Sequence, residues 1–136
     1  MARVPLAGQS CQLVAGVLSP LDWAEARRVL SPGGGLMRVG PTSGHLMELR
    51  QALYDEVRPY ADDKHLGLVP PGMAHAHGET LEFRLSLVAP QARADLLAMT
   101  PHGRRASADK RAQVIEHPAP FDVTVSMRYD YFVRQD

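Results

Sequence analysis

The sequence contains one cysteine, Cys11, two lysines, Lys64 and Lys110, no surplus of charge of either sign and no long apolar run. A lone cysteine excludes a disulfide framework and any cysteine-rich zinc site within the chain. Lys plus Arg and Asp plus Glu both count 15, so the formal net charge is zero. No domain-wide field recruits nucleic acid or an anionic membrane, and any RNA contact must be local. No apolar stretch approaches the roughly 18 residues of a bilayer span, and Met1 to Leu18 lacks the order of a signal peptide. The expectation is a cytoplasmic chain with no membrane partner. The scarcity of lysine leaves 13 arginines as the basic residues, a bias that carries no functional weight by itself.

What is present suffices for one domain over 1–136. With 136 residues and 45% hydrophobic composition, such a chain buries roughly two thirds of its unfolded surface. The length is short for an enzyme that carries both a cofactor-binding and a substrate-binding half.

Gly and Pro, 11 each, divide the chain into short periodic segments. Leu13 to Leu18 is a continuous apolar run closed by Ser19-Pro20, the pattern of a strand covered on both faces. Asp22 before Trp23-Ala24-Glu25 marks a helix start, with both carboxylates placed to satisfy orphan amides, and the helix runs to Leu30. Ser31-Pro32-Gly33-Gly34 reads as its stop and a turn. Leu36 to Val39 is a second short strand. Leu46, Leu49, Leu53 and Val57 recur at helical spacing, and Pro59 ends that helix. Tyr60 to Glu79 shows no period and reads as a long connection. Leu81, Phe83, Leu85 and Leu87 alternate with polar residues as a half-buried strand, and Pro90 opens a helix through Met99. Thr100-Pro101-His102-Gly103 breaks it, a further helix spans about Ala108 to Ile115, and Val123 to Val133 has the longest two-residue period. This order predicts an α/β fold with at least one parallel crossover, and chemistry at the carboxyl ends of its strands.

Most candidate motifs have an ordinary alternative. Gly33-Gly34-Gly35 lacks phosphate-loop spacing and leads into a strand. His75 and His77, with His65 nearby, have no carboxylate or thiol at ligand spacing, so a polar loop is the simpler reading and no metal is assigned. Cys11 has no evident partner base and reads as a small buried residue. Arg104-Arg105, beside His102 and followed by Lys110 and Arg111, is the densest basic cluster; it suits two or three phosphates or an ordinary solvated surface equally.

Taken together, Val17-Leu18-Ser19-Pro20, Arg28 to Gly34, Pro41, His45-Leu46-Met47-Glu48-Leu49, Leu53-Tyr54, Glu56-Val57 and Met99-Thr100-Pro101 resemble the C-terminal half of the large-subunit ribosomal RNA guanine-N1 methyltransferases. The resemblance runs from about Arg3 to Val133. It implies an S-adenosylmethionine-dependent enzyme of Rossmann-like fold that extrudes a guanine and methylates its ring nitrogen. By position it implies Leu18 and Ser19 beside the methyl donor and Ser19 and Pro20 beside the flipped base. His45 would border the same mouth, and Thr100, Pro101 and His102 would form a facing loop. His102 or His45 would assist proton removal, while Arg104 and Arg105 are the candidate RNA contact on the strength of the basic cluster alone.

The departures matter as much. The family's zinc module, glycine-rich donor loop and ribose-holding acid have no counterpart here, so the resemblance implies about four strands on one side of the sheet, the last antiparallel. The strand from Cys11 to Leu18 then becomes an exposed apolar edge. Three readings are open. The first is a truncated or split methyltransferase half, inactive alone, with a complementary donor-binding chain on that edge. The second is a non-catalytic interaction domain pairing two copies through it, and the third is an intact small enzyme.

Overall fold

The computed structural model describes residues 3–56 and 68–136. The expected end of the second helix, at Val57 and Pro59, and the part of the long connection that holds His65 lie outside the described residues. The chain divides into two compact units, one drawn from 1–42, 61–81 and 127–136, the other from 43–60 and 82–126.

The first unit holds β1 (Cys11–Val17), α1 (Trp23–Val29) and β2 (Leu30–Pro41), and shares β3 (Met73–Leu87) and β4 (Phe121–Arg134) with the second. The sheet order is β1-β2-β4-β3. β1 runs parallel to β2 across the α1 crossover, and β4 lies antiparallel to β2, as the sequence pattern and the resemblance imply.

Helix α1 begins where the Asp22 carboxylate accepts the Glu25 N–H at 3.1 Å. Glu25 does not turn back to the helix amides as expected. It accepts the Val4 N–H at 2.8 Å and pairs with Arg28, whose hydrogen bonds hold its carboxyl down at about 2. The helix buries Ala26 against Leu30, Leu36, Met73 and Phe132. Leu30 and Leu36 are fully inaccessible, each contributing about 2 kcal/mol of apolar burial.

Several sequence expectations need correction. β1 is a strand, but Leu13 and Val17 are each 55% exposed, so it is covered on one face only. Cys11 at its start is half-buried, not buried. Ser31 to Gly34 is no turn between elements but an interruption inside β2. Cys11 pairs with Leu30 and Leu13 with Gly35, so β2 inserts its extra residues as a bulge, and Gly33 adopts φ +75° there. The segment from Met73 to Glu79 is the first half of β3 and not a loop, its period obscured by alanine, glycine and histidine. The apolar residues Leu81, Phe83 and Leu85 of β3 are exposed and not half-buried.

The alternation in β4 also changes phase. Val123 is buried, but further along it is Ser126, Asp130 and Phe132 that turn inward. Asp130 is satisfied there by Arg128 and by His75 Nε2 at 2.9 Å.

The second unit packs α2 (Met47–Leu53), α3 (Pro90–Met99), α4 (Pro101–Arg105) and α5 (Ala108–Ile115). Leu46, Leu49, Leu53, Leu97, Val114 and Val123 form its core. Arg93, 3% exposed, sits in this unit as a four-way donor to the carbonyls of Leu87, Val88, Ile115 and Ala119. Among the described residues no helix is long and apolar enough to cross a membrane.

Candidate functional site

Two leucines stand in the left-handed region, and each adjoins a candidate site residue. Leu18, φ +52°, follows β1 and precedes Ser19, while Leu46, also φ +52°, follows His45. A branched side chain at positive φ costs on the order of 1 kcal/mol, and such strain concentrates where backbone direction serves a site. Leu18 is held by its N–H to the Val39 carbonyl at 2.9 Å, and Leu46 by its N–H to the Thr124 carbonyl at 2.7 Å.

In the first unit the strand end presents Leu18, Ser19 and Pro20 to solvent. The nearby acid, Asp22, is occupied as the α1 cap. These residues do not make an S-adenosylmethionine pocket: they offer one hydroxyl and an exposed backbone rim, with no uncommitted carboxylate for a ribose.

In the second unit the structure brings His45 and His102 together around a buried guanidinium. Arg50, 1% exposed, donates from Nε to the His45 carbonyl at 3.2 Å and from Nη2 to the Ser43 carbonyl. It therefore fixes the turn that carries His45, and its positive charge acts on both imidazoles. His45 Nδ1 accepts the Ser126 N–H at 3.1 Å. His102 Nδ1 lies 2.9 Å from Tyr54 Oη, with the two rings edge to face. Burial pushes both histidines below the ordinary imidazole value, helped by Arg50 and, for His102, by Arg105. Both rings are therefore held toward the neutral form, which can accept or donate a proton at neutral pH.

Glu48 ties α2 to β4 beside this cluster. Its carboxylate accepts the Thr124 N–H at 2.8 Å and the Thr124 hydroxyl at 2.5 Å. Burial pushes Glu48 up, but these bonds outweigh it and leave the carboxyl below its usual value.

Thr100, Pro101, His102, Arg104 and Arg105 do not form a loop. Thr100 caps α4, its hydroxyl accepting the Gly103 N–H at 3.3 Å, and Pro101 to Arg105 are that helix. Gly103 makes the sharp packing possible, since any Cβ there would run into the Leu97 carbonyl. The expected basic cluster is smaller than its sequence count. Arg111 donates to the carbonyls of Gly103 and Ala106, and Lys110 pairs with Asp55 at 2.6 Å. Arg104 and Arg105 are exposed.

Sequence reasoning misses Arg50, Tyr54 and Ser126. Arg50 occupies a helical position that reads as solvent-facing, and Ser126 falls on the polar face of β4 by its alternation. Tyr54 belongs to the resemblance without a role in it.

The curated proteins that the sequence matches are named as rRNA methyltransferases, and the solved structures it matches share its fold. No family model matches the chain. It is 31% identical over 93% of its length to "Putative 23S rRNA (guanine-N(1)-)-methyltransferase YxjB" of Bacillus subtilis (strain 168), covering 45% of that protein. It is 30% identical over 93% of its length to the 23S rRNA (guanine(748)-N(1))-methyltransferase of Streptomyces fradiae, again covering 45%. The fold is similar to that of the YcgJ protein from Bacillus subtilis, with a TM-score of 0.56 over 98% of this chain and 68% of that one, at 14% identity. A structure titled a putative methyltransferase from Bacillus halodurans C-125 superposes with a TM-score of 0.54 at 13% identity and the same coverages. The chain thus spans about half the length of the curated relatives it matches. Over nearly its whole length, the chain is similar in sequence to proteins named as 23S rRNA guanine-N1 methyltransferases.

Proposed function

We propose that this chain supplies the substrate side of an S-adenosylmethionine-dependent methyl transfer to a guanine ring nitrogen of ribosomal RNA, and that it transfers nothing alone. The donor-binding half comes from further polypeptide packed on β1. The observation that carries this reading is β1 itself. Among the described residues it pairs as a parallel strand on one side only, ends the sheet order, and leaves Leu13, Val17 and Leu18 more than half exposed. Parallel strands are ordinarily covered, and an apolar open edge is a surface that folded proteins avoid leaving bare.

In this reading Leu18 and Ser19 lie beside the methyl donor, and Ser19 and Pro20 beside the extruded base. His102 is in this reading the acceptor of the guanine N1 proton, and His45 a hydrogen-bond donor. Thr100 and Pro101 contact the substrate, and Arg104 and Arg105 meet RNA phosphates. The protein's work is alignment of an electrophilic methyl group with a nitrogen whose proton must leave.

Calorimetry of the chain with S-adenosylmethionine tests the proposal. No micromolar binding is expected from the chain alone, and binding is expected once a donor-side half of a relative is added. Micromolar affinity of the chain by itself would overturn the division of labour. Sedimentation distinguishes the competing use of the same edge, since a homodimer sealed through Cys11 to Leu18 would protect that strand from hydrogen exchange without any second chain.

A further inference from the structure

A cleft of about 880 Å³ runs along α1 within the first unit, with Trp23, Arg27, Arg28, Gly72 and Arg134 in its wall. It shares no residue with the candidate site, and its chemistry is the same whether or not the methyltransferase reading holds.

The three arginines of this cleft are not equivalent. Arg28 is saturated by Glu25 and by the carbonyls of Val4 and Leu6. Arg134 is held in place by Nη1 donating to the carbonyls of Arg27 and Leu30, which leaves Nε to reach the Asp136 main-chain oxygen at 3.0 Å. Arg27 pairs through Nη2 with the Asp136 carboxylate at 3.2 Å. Its Nε is the one buried side-chain polar atom among the described residues that has no hydrogen-bond partner. An unmet guanidinium donor is costly, and proteins retain few of them. Gly72, at φ +76°, accommodates the group, because any Cβ at this position would collide with Arg27 Nε.

Asp136 therefore touches both guanidinium groups, its carboxylate on Arg27 and its main-chain oxygen on Arg134, from an exposed position with its side chain 79% accessible. Arg27 Nε, inaccessible to solvent beside Gly72, stays outside this contact, which concerns the Nη2 edge of Arg27. A phosphate carries more oxygens and more charge than this carboxylate, and guanidinium forks match it in shape. With Asp136 displaced, Arg27 and Arg134 face one acid of the cleft, Asp22, already engaged as a helix cap, while Arg28 and Glu25 cancel. We propose that Arg27 and Arg134 form a phosphate-binding site in this cleft, for which Asp136 is a displaceable internal stand-in. The phosphate belongs either to a free nucleotide or to an RNA backbone.

Trp23 is the only tryptophan of the chain and lies in the cleft wall, so its fluorescence reports occupancy directly. Inorganic phosphate titrated into the full chain, against chloride at matched ionic strength, is expected to give a saturable change. Arg27→Gln should weaken binding about tenfold, and Asp136→Asn should tighten it about threefold by removing the competitor. The exposed Asp136→Asn change leaves the fold intact, so it decides the matter even if Arg27→Gln unfolds the chain. Adenosine monophosphate and an oligouridylate separate the sources: tighter binding of the first names a nucleotide, and tighter, steeply salt-dependent binding of the second names RNA. A response no different from chloride, or affinity unchanged in Asp136→Asn, would overturn the proposal.

Discussion

The backbone N–H of Ser126 donates to Nδ1 of His45 at 3.1 Å, which commits that nitrogen's lone pair and leaves the proton of the neutral ring on Nε2. His45 is thereby a donor toward anything placed at Nε2. His102, whose Nδ1 faces the Tyr54 hydroxyl, is the ring that can present an unprotonated nitrogen when Tyr54 accepts.

Nitrogen-15 spectra of the histidines should therefore show His45 in the Nε2-protonated tautomer at neutral pH. His45 and His102 should both titrate below the ordinary 6.5, because burial and Arg50 disfavour the imidazolium. The unfolded chain binds these protons more readily, so stability is full above about pH 6.5 and falls as the pH drops through that value toward the lower folded pKa values. A His45 ring protonated on Nδ1, or midpoints above 6.5, would contradict the geometry.

Glu48 works in the acid range. Its depressed folded pKa means that the stability it contributes is present above the unfolded value near 4.5 and is lost as the pH falls through the folded one. Glu48→Gln keeps an acceptor but loses the charge and one of the two Thr124 bonds, at a cost of about 1–2 kcal/mol near neutrality. Urea titrations at pH 7 and pH 3 should show the difference between the two proteins shrinking in acid.

Arg93 carries no function in the proposed chemistry, yet its loss should be among the most damaging changes. Arg93→Met removes the donor from the carbonyls of Leu87, Val88, Ile115 and Ala119 and is expected to cost about 2–4 kcal/mol. The check is a shift of the urea midpoint with an unchanged slope.

Two glycines separate crowding from backbone strain. Gly103→Ala drives a methyl into the Leu97 carbonyl and should destabilise by about 2–3 kcal/mol. At Gly33 nothing lies within 4 Å, but φ is +75°, so Gly33→Ala should cost only about 1 kcal/mol. Equal losses at both positions would remove the distinction.

The sequence is most informative where one period runs undisturbed. The Asp22 cap, the Pro90 helix start and the helix from Ala108 are legible because local chemistry decides them. β2 reads as too short because Pro32, Gly33 and Gly34 signal a break, and only pairing with β1 reveals them as a bulge within one strand. Half of β3 is illegible because edge strands need no apolar alternation: its first residues pair through backbone and bury only Met73. The inward turn of Asp130 has no signature at all, since its carboxylate is satisfied by His75, distant in sequence, and by Arg128 on the same face. For the same reason His102 stands out in the sequence, but not the Tyr54 hydroxyl at its Nδ1 or the Arg50 charge that, after burial, helps lower its pKa.

The sheet order has a consequence for the time at which this protein becomes a protein. β3 is joined to β2 only through β4, although β4 is made some 30 residues later. While a ribosome is still synthesising Phe121 to Arg134, β3 has no neighbour, and Leu81, Phe83 and Leu85 stand on an unpaired ribbon. Completion of the sheet is thus withheld until β4 has been made, and the interval before β4 emerges is when the nascent chain is most open to capture by chaperones or by other unfinished copies of itself.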